Sequence, residues 1–135
     1  MRIVVGYDGS DPAKHALDRV ARYGTGNDEV TVVTVAELHA RAGVTEGAHL
    51  DPSELPRRQQ ALEEAKAALA ERGLQAETVV AQGDPGEAIV QVAEERNAEL
   101  IVVGHRGLNP FERLLLGSVS SKVVHRAPCD VLVVR

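Results

Sequence analysis

Gly104, Gly107, Gly117 and Ser118 follow the apolar run Leu100 to Val103, within the stretch GHRGLNPFERLLLGSVSS. Glycine weakens regular structure, so its recurrence there points to tight backbone geometry or to the close approach of a ligand. Ser118 opens a valine-bearing helical pattern, and the free N–H groups and positive dipole end of such a helix suit a phosphate. Gly117 lets a phosphate oxygen reach the backbone, and Ser118 adds a hydroxyl and an N-cap. Asp8, in GYDGSD after the first apolar run, sets a carboxylate opposite this anion seat if the two runs are neighbouring strands.

Other reactive residue types find no such setting. His15, His39 and His49 lack ligand spacing, so no metal site is read. His125 and Arg126 fall at a helix C-terminus, where positive charge is favourable in any case. His105 and Arg106 could touch a phosphate, with a solvated loop as the simpler account of His105. Cys129 is the single cysteine, placed beside Pro128 and ahead of an apolar strand, and is read as a small core residue without chemistry. No G-x4-G-K-[ST] loop occurs, because GTGNDE at Gly24 precedes a strand instead of following one. The acidic cluster, aspartate and lysine of a phosphotransfer receiver are also missing from the expected strand ends.

The elements that must position these residues alternate. Ile3 to Val5, Val30 to Val35, Leu100 to Val103 and Val131 to Val134 are short runs, apolar on both faces, as suits parallel strands covered by helices on both sides. Glu77 to Gln82 is more polar and reads as an edge strand. Between the runs, Ala13, Ala16, Leu17, Val20 and Ala21 give a first helix with Asp11 as N-cap and Pro12 at its first position. Leu55 to Arg72 gives a second helix, with Leu62, Ala65 and Leu69 as its stripe and Gly73 after it. Pro85 to Asn97 gives a third, with Ile89, Val92, Ala93 and Arg96 on one side. The fourth starts near Ser118, carries Val119, Val123 and Val124, and stops at Pro128. The fold expected is α/β, an open doubly wound parallel sheet with right-handed crossovers. Ligands bind such sheets outside the carboxyl ends of the strands, where strand order reverses. Glu37 to Glu54 has no periodic pattern and reads as a long loop able to act as a lid.

The 135 residues fit one domain, 1–135, with enough chain for a core. A formal net charge of −5 without a basic cluster argues against nucleic acid as the main partner. No apolar run approaches the length of a membrane helix, and no signal peptide is read at the start, so a cytoplasmic location and no membrane partner are expected.

The spacing Gly104, two residues, Gly107, nine residues, Gly117, Ser118 resembles the G-x2-G-x9-G-[S/T] signature of ATP-binding members of the universal stress protein family. The opening IVVGYDGSDPAKHAL and the closing APCDVLVVR are similar to that family too, so the resemblance covers nearly the whole chain. It implies a five-stranded flavodoxin-like sheet of order 3-2-1-4-5 and a cofactor that is ATP, or AMP or ADP, with Mg²⁺. It also implies that Asp8 holds the ribose or adenine end and that Val35 offers backbone contacts to adenine. Gly107, Gly117, Ser118 and Val119 would take the phosphates, with Gly104 a further nucleotide-binding residue. His105 stands where the family commonly has a small hydroxyl residue. The last strand, Val131 to Val134, is an apolar edge free of proline and inward charge, and both that edge and the resemblance imply a C2 homodimer. No catalytic residue is assigned, since neither a positioned base nor an arginine finger is found. The function expected is a nucleotide-dependent regulatory or stress-response protein. A weak ATPase or self-phosphorylating protein and a nucleotide-free dimeric interaction module are the alternatives.

Overall fold

A computed structural model describes residues 1–36, 53–105 and 117–135. Gly107 and most of the expected lid, 37–52, lie outside the described residues. The described elements alternate as β1 (Arg2–Gly6), α1 (Asp11–Tyr23), β2 (Glu29–Ala36), α2 (Glu54–Ala70), β3 (Ala76–Gln82), α3 (Pro85–Glu95), β4 (Leu100–Gly104), α4 (Ser118–Arg126) and β5 (Asp130–Val134). The strands form one parallel sheet of order β3-β2-β1-β4-β5, as expected. Central β1 pairs Val5 with Val32 on one side and with Val102 on the other.

Successive strand residues face opposite sides, so runs of valine and isoleucine feed two cores at once. Ile3, Val5, Val32 and Val102 pack with Ala16 and Leu17 of α1 and with Leu62 and Leu69 of α2. Val4, Val33, Ile101 and Val103 pack with Ile89 and Ala93 of α3 and with Val123 of α4. Each fully buried valine or leucine stabilises the fold by about 1.5–3 kcal/mol. Cys129 packs against the second cluster. Burial first, then the charge of Asp130, pushes its thiol pKa up, and the residue is a half-buried thiol at the edge of the core, not fully inside it.

Four sequence expectations need correction. The N-cap of α1 is Ser10, not Asp11. Asp8 Oδ1 accepts from both the backbone N–H and the hydroxyl of Ser10, at 2.9 and 2.5 Å. That turn holds Ser10 extended, its oxygen accepts from the Ala13 N–H, and Asp11 and Pro12 shift into the first turn. In α4 the N-cap is Gly117, and Ser118 is the first helical residue. Val124 is 42% exposed, and Ser120 takes the inward place beside Val123. In α3 the helix ends at Glu95, ahead of Asn97 at φ 51, and Arg96 turns outward to an ion pair with Glu77 on β3.

Candidate functional site at the strand-order reversal

β1 and β4 are neighbours in space, although β1 leads into β2 on its other side. This reversal leaves a crevice at their carboxyl ends. The crevice is a cleft walled from both helical layers. The turn that follows β1 contributes Tyr7 and Asp8, β2 contributes Val33 and Val35, and β4 contributes Val103 and Gly104. Pro12 and Ala13 of α1 and Arg58 of α2 enter from one face. Pro85 and Ile89 of α3 and Val119 and Ser120 of α4 enter from the other.

Of the residues singled out from sequence, Asp8, Val35, Gly104 and Val119 therefore share one cleft. Gly117 and Ser118 head α4, immediately before the lining residues Val119 and Ser120, and Ser118 is exposed. Gly107 lies outside the described residues. Tyr7, Ser10, Pro12, Ile89, Arg58 and Ser120 also line the cleft and were not expected there. For Ser10 the signal was in the sequence, since it follows Asp8 by two residues in an Asx-turn pattern. Arg58 had no local signal, because its place depends on how α2 crosses the sheet.

Gly104 has a steric cause apart from any ligand. A Cβ there would lie 2.4 Å from both the carbonyl carbon and oxygen of Pro12, so β4 abuts the first turn of α1. Asp8 likewise has a structural duty, the Ser10 turn, while its carboxylate borders the cleft.

The helix starts around this end differ in how they are closed. α1 is capped by Ser10 and α3 by Asp84. α4 begins on Gly117, which has no side chain, with no acidic residue in its first turn. Its first intrahelical bond runs from Ser121 N–H to Gly117 C=O at 2.8 Å, so the N–H groups of Ser118, Val119 and Ser120 have no acceptor within the helix. At the far end His125 and Arg126 complement the dipole. An anion at the head of α4 meets donors and a positive dipole end with no competing carboxylate of the helix's own. Tyr7, by contrast, has its hydroxyl pKa raised, by burial first and then by the charges of Glu64 and Asp8, so it stays protonated at neutral pH.

Asp84 ties α3 to α4. Its carboxylate accepts from the Glu87 N–H at 3.0 Å and from Lys122 Nζ at 2.9 Å, and a second ion pair joins Arg126 to Glu87 at 3.0 Å. Those contacts, first the Glu87 N–H and then Lys122, hold the Asp84 pKa below the ordinary carboxylate value. A depressed carboxylate stabilises the fold above its unfolded pKa of about 4, and the contribution is lost as pH falls through the lower folded value. Asp84→Ala should lower stability by about 1 kcal/mol at neutral pH through the lost cap. Urea denaturation in acid should show the gap from wild type closing, and a gap of constant size would contradict this role.

The fold and cleft together define a doubly wound α/β protein with an open cleft at its topological switch. A family model described as the universal stress protein family matches residues 1–135. A universal stress protein of Thermus aquaticus is 39% identical over 137 residues, covering 98% of this chain and 97% of the relative. Universal stress protein YxiE of Bacillus subtilis is 49% identical over 74 residues, which span 55% of this chain and 50% of that protein. Among solved structures, a universal stress protein in complex with cAMP superposes with a TM-score of 0.77 at 28% identity, covering 100% of this chain and 97% of that one. The chain belongs to the universal stress protein family. Among the described residues no helix is long and apolar enough to cross a membrane.

Proposed function

We propose that this protein binds an adenine nucleotide in the cleft at the β1/β4 reversal and acts as a nucleotide-dependent regulatory protein of the stress response. The observation that carries the reading is the convergence of Asp8, Val35, Gly104 and Val119 on one cleft beside the uncapped head of α4. The related structure with cAMP supports an adenine-bearing ligand for this chain as well. On this reading Asp8 takes the ribose or adenine end and the Val35 backbone takes the adenine edge. Gly104, Gly107, Gly117, Ser118 and Val119 surround the phosphates. ATP, ADP and AMP share these contacts. Asp8 is the one carboxylate among the described lining residues, so a Mg²⁺ arriving with ATP would be held chiefly by phosphate oxygens and water. The reading is of a binding protein in the cytoplasm, where adenine nucleotides are held. Isothermal titration with AMP and ATP tests it, and the absence of heat from either, for protein purified free of nucleotide, would count against it.

The same proposal includes a homodimer through β5. That strand hydrogen-bonds to β4 alone among the described strands, and Leu132 is 36% exposed beside the half-buried Val131 and Val133. Two such edges can pair antiparallel about a two-fold axis. Leu132→Lys should shift the protein from dimer toward monomer in light scattering, while a wild-type monomer at tens of micromolar would remove the dimer from the proposal.

A further inference from the structure

Arg58 is the basic side chain among the cleft's described lining residues, and the glycine signature does not account for it. It stands in the second turn of α2, on the α1/α2 face of the sheet, whereas α4 covers the opposite face. A ligand whose phosphate sits at the head of α4 must cross the ends of β4 and β1 to reach β2. That is two strand spacings, about 10 Å. The part of the ligand farthest from the phosphate then meets Val35 from the sheet and Arg58 from α2.

The hold of the protein on Arg58 is slack. Its Nη2 lies 3.7 Å from Glu54 Oε1, beyond hydrogen-bond reach, and its side chain is 24% exposed. The other carboxylate oxygen, Glu54 Oε2, is buried with no hydrogen-bond partner. The pair thus keeps Arg58 on the cleft wall by charge without engaging the donors or the flat faces of the guanidinium.

A purine base favours a flat partner, and this chain is poor in them, with two tyrosines, one phenylalanine and no tryptophan. Tyr23 closes α1 at the end away from the cleft, and Phe111 lies outside the described residues. Tyr7 is 6% exposed, held in the core beneath the cleft. The Arg58 side chain, 24% exposed, is more open to the cleft than Tyr7. We infer that Arg58 contacts the base of the bound nucleotide, its guanidinium plane stacked on the purine, with Glu54 as its positioning partner. The inference rests on the adenine-nucleotide reading and deepens it, because it adds a grip on the base from the layer opposite the phosphate seat.

The test measures dissociation constants of AMP and of ribose 5-phosphate, which lacks the base, for wild type, Arg58→Lys and Arg58→Met. Lysine keeps the charge and loses the plane; methionine keeps an unbranched stem and loses both. Both substitutions keep a long unbranched side chain of high helix propensity at position 58, and thermal denaturation without ligand verifies that both variants fold. AMP binding should weaken about tenfold in both variants, about 1.4 kcal/mol, with ribose 5-phosphate binding unchanged. Unchanged AMP affinity would overturn the contact. So would full rescue by lysine, which marks a point charge on phosphate, or an equal loss for ribose 5-phosphate, which marks a general electrostatic effect. Failure of wild type itself to bind AMP would instead overturn the adenine-nucleotide reading, and this contact with it.

Discussion

Gly104→Ala should lower the melting temperature of the ligand-free protein by roughly 10 °C. The added methyl would sit 2.4 Å from the carbonyl carbon and oxygen of Pro12, and a backbone group in the first turn of a packed helix cannot rotate away. Relief requires α1 to move off β4, and overpacking of this kind costs typically about 1–3 kcal/mol. At about 4 °C per kcal/mol for a domain of this size, the upper part of that range gives the stated loss. Two other glycines calibrate the effect. At Gly6 the methyl would meet Ile89 Cδ1 at 2.9 Å, the far end of a flexible side chain, so Gly6→Ala should cost less. At Gly26 the nearest group is the Gly73 carbonyl oxygen at 3.8 Å, so Gly26→Ala should be close to neutral. Thermal denaturation of the three variants gives the ranking directly. A Gly104→Ala protein as stable as Gly26→Ala would mean that α1 yields freely and that glycine at 104 serves a ligand alone.

That prediction separates two duties the sequence merges. Periodicity in the sequence already carried the alternation of strands and helices, because valine runs buried on both faces and stripes at i, i+3, i+4 reflect the sheet and its covering layers directly. It did not carry the identity of the caps. Ser10 and Asp11 are both good N-cap residues, and the choice fell to Ser10 because Asp8, two residues earlier, is bonded to it. Nor did periodicity carry the inward turn of Ser120 in place of Val124, which depends on where α4 starts after 106–116. The position of the cleft was legible at Asp8, which the strand-end rule places without coordinates, whereas Val35 and Val119 were implied by the family resemblance; all three line the same cleft. Arg58 was not legible, because α2 reaches the cleft by a tertiary crossing that no local pattern encodes. The steric reason for Gly104 was hidden in the same way, in a contact between residues 92 positions apart in sequence.

Saturating Mg-ATP should raise the melting temperature of the wild type by roughly 10 °C, since a ligand at about 100 times its dissociation constant stabilises the native state by about 2.7 kcal/mol. GTP should do less, because adenine presents an amino donor where guanine presents a carbonyl acceptor, and a backbone edge such as that of Val35 cannot satisfy both. Gly117→Val should abolish the shift. Gly117 lies at φ −61 and ψ 161, extended backbone that valine adopts without strain, so the substitution blocks the approach of phosphate to the head of α4 without straining the chain. Ser118→Ala should only weaken the shift. Ser118 is exposed and is not the cap, so its loss removes one hydroxyl contact and leaves the unliganded melting temperature near that of wild type. The two neighbouring variants therefore report on different groups, the backbone donors at one and a side-chain oxygen at the other. If Ser118→Ala abolished the shift as fully as Gly117→Val, the hydroxyl would outrank the helix end as the phosphate contact. If folded wild-type protein that copurified with no nucleotide gave no shift with millimolar ATP, ADP or AMP, the glycines would be turn residues. The dimeric interaction module would then be the reading that the exposed edge of β5 supports.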